Sequence, residues 1–208
     1  MTVWQLIGED MCAWKRIGFL GEHAKHSRLR LGEAIKLYWR FPGVRATVIY
    51  RLSHEADRRH IRLLPMLLTH HNVRHYGFDV VPSIPIGPGL YVPHPVGTVI
   101  MARSIGRNCH IISSVTIGMR NRYAFPAIGD DVTIGCGARV LGDITIGSNV
   151  NIGANAVVID DIPDSATAVG IPARILRKQA TSDSEPGASE RGESGDLSIL
   201  LNEDALMR

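Results

Sequence analysis

Aliphatic residues recur at every sixth position through much of the second half of the chain: Ile128, Ile134, Val140, Ile146, Ile152 and Val158. Four of these six are followed directly by glycine. Four positions further on stand Val132, Ala138, Ile144, Val150, Ala156 and Ile162, all apolar. An earlier block keeps the step at Val99, Ile105, Ile111 and Ile117, and Val80, Ile86 and Val92 precede it, offset by one residue. Neither the 3.6-residue period of a helix nor the alternation of a half-buried strand gives this spacing. A repeated unit does. Each hexapeptide reads as one short strand and one corner, with the aliphatic side chain pointing inward and glycine permitting the tight corner. Three hexapeptides close a triangular coil of about 18 residues, and stacked coils bury a continuous core. Thirteen positions from Val80 to Val158 predict about four coils. An ordinary β-sandwich would not hold six repeats in register without an insertion.

The pattern divides the chain into three parts. Residues 1–78 read as a small helical region. Leu31, Ala34, Ile35 and Tyr38 keep helical spacing, Phe41-Pro42-Gly43 breaks it, a second helix is expected over 44–60, and Pro65 begins or kinks a third. Residues 79–178 carry the coils. Between Ile117 and Ile128 lie eleven steps where six would continue the coil, so residues 118–127 must bulge out as a loop. Loops on rigid scaffolds often carry function. Residues 179–208 are rich in Ser, Glu and Gly and are expected to be a disordered acidic tail with an apolar patch near Leu197–Leu201.

Charge sharpens this division. The net charge of +3 conceals −5 on the tail, which leaves +8 on the rest. A basic body attracts nucleic acid, anionic lipid or a polyphosphate ligand. The cluster Arg58, Arg59, His60 and Arg62 lacks the interleaved aromatics of a single-strand platform, so no nucleic-acid partner is expected. Residues 61–68 leave weak membrane association open. No apolar run approaches the roughly 20 residues of a spanning helix, and charges in the first 20 residues interrupt a signal-peptide core. Cys12, Cys109 and Cys136 are odd in number and far apart, as reduced thiols would be. These features point to a cytoplasmic protein. No metal is expected: His94 and His110 are the only histidines among the repeats, and His70, His71 and His75 lie in the helical region.

Residues 41–178 resemble the serine acetyltransferase family. The resemblance rests on Phe41-Pro42-Gly43-Val44-Arg45-Ala46 with Tyr50-Arg51-Leu52-Ser53-His54, on Ile86-Gly87-Pro88-Gly89-Leu90 and on Ser114-Val115-Thr116-Ile117-Gly118. It continues through Ile134-Gly135-Cys136-Gly137-Ala138-Arg139-Val140-Leu141-Gly142 and Val169-Gly170-Ile171-Pro172-Ala173-Arg174. It implies a mainly β fold, a left-handed parallel β-helix behind a helical N-terminal region, with acetyl-CoA as co-substrate and a homotrimer as the unit. The family's catalytic histidine falls on His94 and its supporting aspartate on Asp79. An alcohol is a poor nucleophile at neutral pH, and an imidazole in reach takes its proton during attack on the thioester. A carboxylate on the other ring nitrogen fixes the tautomer. The resemblance further implicates Gly118, Ala138 and Ala154 along the pantetheine arm, and Arg174, Arg177 and Lys178 at the CoA phosphates.

The acceptor side departs from that family. The residue before the histidine is normally aspartate and here is Pro93, and the loop's Arg-His-Pro here reads Ala124-Phe125-Pro126. These residues cannot pair with an amino acid's charges. A second resemblance, to colanic-acid-type acetyltransferases of exopolysaccharide assembly, rests on Val115–Asn121. It implies a small hydroxyl acceptor, a saccharide in the first place, with Phe125 and Tyr123 stacking on a sugar face and Arg120 or Arg122 holding an anionic group. Serine O-acetylation with an altered pocket is the alternative, and a non-catalytic assembly β-helix a further one. The chain ends Ala-Leu-Met-Arg, so no cysteine synthase complex is expected.

Overall fold

The computed structural model describes residues 1–17 and 29–176. The expected tail, with Arg177 and Lys178 before it, lies outside the described residues. Four helices come first: α1 (Val3–Arg16), α2 (Leu31–Arg40), α3 (Pro42–Arg58) and α4 (Leu64–Tyr76). Thr2 opens α1 with a capping box closed by Gln5, and Pro42 sits at the start of α3, where its missing N–H costs nothing. Gly77 ends α4 at φ +60°, a conformation that disfavours any residue with a Cβ.

Among the described residues thirteen short strands follow, and twelve of them stack into the three faces of a left-handed parallel β-helix. The first face joins β1 (Phe78–Val80), β2 (Thr98–Ile100), β5 (Thr116–Gly118), β8 (Arg139–Leu141) and β11 (Val157–Val158). The second joins β3 (Ser104–Ile105), β6 (Ala127–Ile128) and β9 (Thr145–Ile146), extended by bridges at Ile86 and Ile162. The third joins β4 (His110–Ile111), β7 (Thr133–Ile134), β10 (Asn151–Ile152) and β12 (Thr167–Val169). β13 (Arg174–Leu176) returns antiparallel against β12. Five strands on the first face make about five coils, one more than the repeat count predicts, because residues 159–169 complete another turn without keeping the six-residue step.

One aliphatic column runs up the inside of each face. Val80, Ile100, Ile117, Val140 and Val158 are paired in register on the first, and all are buried. The periodic reading placed Val99 in this column. Val99 instead pairs with Thr116 on the outward side, and Ile100 takes the core position. The cause is local. From Val92 to Ile100 the chain advances eight residues where Ile111 to Ile117, Ile134 to Val140 and Ile152 to Val158 each take six. That corner is therefore swollen by two residues, and the loop after Ile117 is the other place where the count between core positions rises above six.

The helices close the open end of the first coil. Trp14 packs on Phe41 and Tyr91 at ring separations of 4.9 and 4.8 Å. Gly43 of α3 lies so close to the Val92 carbonyl that a Cβ there would overlap the oxygen. Beneath them Arg51 and Asp10 form a buried ion pair, Nε to Oδ2 at 2.8 Å. Arg51 also donates to the carbonyls of Ile86 and Gly87, and Asp10 accepts from the N–H groups of Gly89 and Leu90. Every partner in this cluster satisfies another, which is what makes buried charge tolerable.

Candidate active site

His94 sits on the swollen corner, between Pro93 and Pro95. Proline restricts its own φ and the conformation of the residue before it, so the imidazole is carried on a stiff piece of backbone. The His94 amide donates to Ile112 O at 3.3 Å and the residue bridges to Ser113 of the next coil, while the ring faces solvent. Asp79 belongs to the same coil, on the outward side of β1, half-buried. Among the described residues neither side chain is hydrogen bonded, so the pair shares a coil without being joined in the single chain.

The corner that carries His94 continues up the prism as a column. Above it come Ser113, then Cys136, then Ala154, linked by backbone hydrogen bonds from Gly137 N to Ser113 O and from Asn155 N to Cys136 O. Neighbouring coils are about 4.8 Å apart, so His94 and Ala154 are separated by about 14 Å along the axis. Cys136 and Ala154 are exposed. Arg174 is exposed near the top of this column, because β13 begins beside the corner that follows β12. Of the other expected groove residues, Ala138 turns its side chain into the core and is fully buried. Cys136, two residues earlier on the corner, is exposed. Gly118 lies at the opposite end of the first face, where the loop begins.

The loop, residues 119–126, sorts its side chains by height. Met119, Tyr123 and Phe125 turn toward the first two coils and, with Val81, Ser83, Ile84, Met101 and Ala102, line a cavity of about 400 Å³. Tyr123 and Phe125 meet edge to face at 4.9 Å. Arg120 and Arg122 turn the other way, over Leu141, Asp143 and Ile159, around a hollow of about 490 Å³. Arg122 and Arg103 both reach Asp143, at 3.2 and 2.8 Å. The apolar cavity is thus level with the coil of His94 but at the other end of the first face. Pro93 is half-buried beside the histidine.

Burial tunes the neighbours. It pushes the Tyr91 hydroxyl and the Cys109 thiol each up to about 12. His110 is held below the usual imidazole range by burial and then by the Arg16 charge. Among the described residues no cluster of three or more His, Cys, Asp or Glu could hold a metal ion. His71 and His75 stack at 4.3 Å on α4 without a third ligand.

Comparison with known proteins adds a family. Residues 126–160 match the model for the bacterial transferase hexapeptide, six repeats. A serine acetyltransferase of Helicobacter pylori is 37% identical over 142 residues, which are 66% of this chain and 83% of that one. The chain belongs to the serine acetyltransferase family. A Synechococcus elongatus serine acetyltransferase is 36% identical over 140 residues, and here the match covers 65% of this chain but only 57% of the relative. Among solved structures, the Neisseria gonorrhoeae serine acetyltransferase in complex with serine superposes with a TM-score of 0.73 at 29% identity, covering 84% of this chain and 69% of that one. A serine acetyltransferase in complex with CoA gives 0.68 at 28% identity, with the same coverages. These relatives lend no support to a saccharide as the first choice of acceptor. In this member of the serine acetyltransferase family the histidine corner and the exposed column above it stand at one end of the first face and the interrupting loop at the other, and the loop's cavity is lined mainly by apolar and aromatic side chains.

Proposed function

We propose that the chain is an acetyl-CoA-dependent O-acetyltransferase with L-serine as acceptor. The observation that carries the chemistry is the exposed imidazole of His94 on a proline-bracketed corner, at the foot of a column of small residues that rises to Arg174. The acceptor follows from the relatives, which are named as serine acetyltransferases across bacteria and plants. His94 acts as general base. It takes the hydroxyl proton as the oxygen attacks the thioester carbonyl and returns it to the departing thiolate when the tetrahedral intermediate collapses. Asp79 would hold the imidazolium from its other nitrogen, and backbone N–H groups would meet the oxyanion. Ala154 and Cys136 offer little bulk to an extended pantetheine arm, Gly118 would border it only from a neighbouring prism, and Arg174 would meet its phosphates.

His94 and the loop cannot face each other within one prism, since they occupy opposite ends of the same face. Three prisms packed side by side would set the loop of one against the histidine corner of the next at equal height. A homotrimer is therefore part of the proposal. So is a cytoplasmic location, where acetyl-CoA and reduced thiols coexist. No complex with cysteine synthase and no nucleic acid is included.

One observation favours a second reading. The positions of the expected acceptor charges are Pro93, Ala124 and Phe125, and the cavity level with His94 is apolar with two aromatic rings and Ser83. Such a cavity suits the face of a sugar, whereas Arg120 and Arg122, expected to hold an acidic substituent, line the separate hollow around Asp143. A thiol-release assay with acetyl-CoA decides between them. Turnover of L-serine that disappears in His94→Ala supports the first reading. Turnover of sugars or nucleotide sugars without serine replaces it with the second, and acetyl-CoA binding without turnover of any hydroxyl would favour an assembly role.

A further inference from the structure

Helix α4 is packed inside out. Its inward positions are Pro65 and Asn72, fixed by hydrogen bonds from Ser53 Oγ to Pro65 O and from Asn72 Nδ2 to Ala46 O, both at 3.0 Å. Its outward positions include Leu64, Met66, Leu67 and Val73, and Leu63 just before it is 64% exposed. The apolar face extends onto α1. Trp4, 71% exposed, lines an open groove of about 370 Å³ with Leu52, Ile61, Leu64 and Leu68. Ile61 also borders a second hollow of about 550 Å³, whose lining mixes Arg62, His60, His70, Thr69 and Asp57 with Pro65, Met66 and Pro82. An apolar groove and a hollow that carries Arg62 therefore share Ile61 as their common wall.

The charge of this face is mainly positive. From Arg58 to Phe78 there is no acidic residue, against Arg58, Arg59, Arg62 and Arg74 and four histidines. The nearest free acid is Asp57; Glu55 is engaged by Arg58 and Arg59 at 3.1 and 2.7 Å. Both arginines remain more than half exposed, so those pairs hold them weakly. A second copy of the chain docking here would bring the same cations against themselves. A nucleic acid would meet the arginines but leave the leucines and Trp4 in water. An anionic bilayer answers both features, since it offers phosphates at its surface and hydrocarbon just below. Tryptophan is favoured at that boundary, and basic residues with apolar ones on a surface helix bind in its plane.

We infer that this face docks onto an anionic membrane surface. Trp4, Leu63, Leu64 and Leu67 enter the boundary between headgroups and acyl chains, and Arg58, Arg59 and Arg62 lie among the lipid phosphates. The association is peripheral: among the described residues no helix is long and apolar enough to cross a bilayer. It does not depend on which hydroxyl the enzyme acetylates.

The test uses the full chain carrying Trp39→Phe, so that Trp4 is the exposed fluorophore; Trp14 is buried. The protein is mixed with vesicles of phosphatidylcholine, or of phosphatidylcholine with phosphatidylglycerol, and sedimented. Binding is expected only to the second kind, with a blue shift of Trp4 emission and a loss of binding at high salt. Arg62→Glu should weaken binding at least about five-fold, the effect of about one cation at a charged surface. Leu67→Glu, a substitution at a site 58% exposed, should abolish the blue shift with circular dichroism unchanged. Absence of binding to anionic vesicles overturns the inference, and so does equal binding to neutral ones or binding indifferent to both variants. A Trp4 blue shift that grows with protein concentration without lipid would make a second copy the occupant instead.

Discussion

Asp10→Ala should destabilise the chain by at least about 3 kcal/mol, although the residue is far in sequence from every coil. The Asp10 carboxylate accepts four hydrogen bonds: from Arg51 Nε at 2.8 Å and Nη2 at 2.9 Å, and from the N–H groups of Gly89 and Leu90, both at 2.9 Å. Burial pushes this carboxyl above the usual carboxylate range, and Arg51 and the two amides pull it back. Alanine would leave the Arg51 side chain, 0% exposed, with the carbonyls of Ile86 and Gly87 and the Tyr50 ring, 5.6 Å away, but no counter-charge. An unpaired buried charge costs about 3–5 kcal/mol, and each orphaned amide about 1–3. These costs overlap, so the lower figure is the one to test. With a urea m-value of about 2 kcal/mol/M, 3 kcal/mol lowers the unfolding midpoint by about 1.5 M. Amide exchange at Gly89 and Leu90 should accelerate more than at Val140, because the damage is confined to the first coil. The double variant Asp10→Leu/Arg51→Met should lose less than the sum of the singles, since it removes both charges together. A midpoint shift under about 0.5 M in Asp10→Ala would show that Arg51 finds solvent or another partner, and would refute the role of the pair as the fastening between helices and coils.

Other outcomes can be checked in the same preparations. His94→Ala should lower kcat by about 10² to 10⁴ with acetyl-CoA affinity retained, as measured by thiol release and by CoA titration. Alkylation at neutral pH should modify Cys136 first and leave Cys109 untouched, since Cys109 is buried with its thiol pushed up to about 12; modified Cys136 should block CoA binding and be protected by CoA. Phe125→Ala should raise KM for the acceptor while leaving KM for acetyl-CoA unchanged. Glu33 is held below the usual carboxylate range by the Lys15 ammonium and then by the Arg30 N–H. Its folded-state pKa is the lower one, so its contribution to the α1–α2 contact is present above about pH 4.5 and lost as pH falls through the folded value; an NMR titration of Glu33 should have its midpoint below the ordinary glutamate value of 4.5.

The fold was legible where one rule decides each position. Ile128 through Val158 face inward because a six-residue step fixes both the strand and the corner. Val99 was misplaced because its corner holds two extra residues, and an inward residue cannot be counted across a corner of unknown length. Those extra residues also mark the histidine: the steps from Val92 to Ile100 and from Ile117 to Ile128 are the two that exceed six, and they carry the candidate base and the loop. Ala138 illustrates a different limit. Small size at a corner qualifies a residue for a groove or for a tight core, and only the direction of Cβ separates the cases. The Asp10–Arg51 pair was not legible at all, since nothing local joins residues 41 positions apart, and α4 was expected as a helix without any sign that its leucines would point outward.

The column above His94 also fixes a length. From the first coil to the fifth there are four steps of about 4.8 Å, so the imidazole and the basic turn at Arg174 are held about 19 Å apart by backbone spacing alone. The prism works as a ruler whose graduations are whole coils. Deleting or duplicating one eighteen-residue turn between Ser113 and Ala154 would shift Arg174 by a single graduation and leave each end chemically intact. A co-substrate with a reactive thioester at one end and phosphates at the other would then fit by its span as much as by its functional groups.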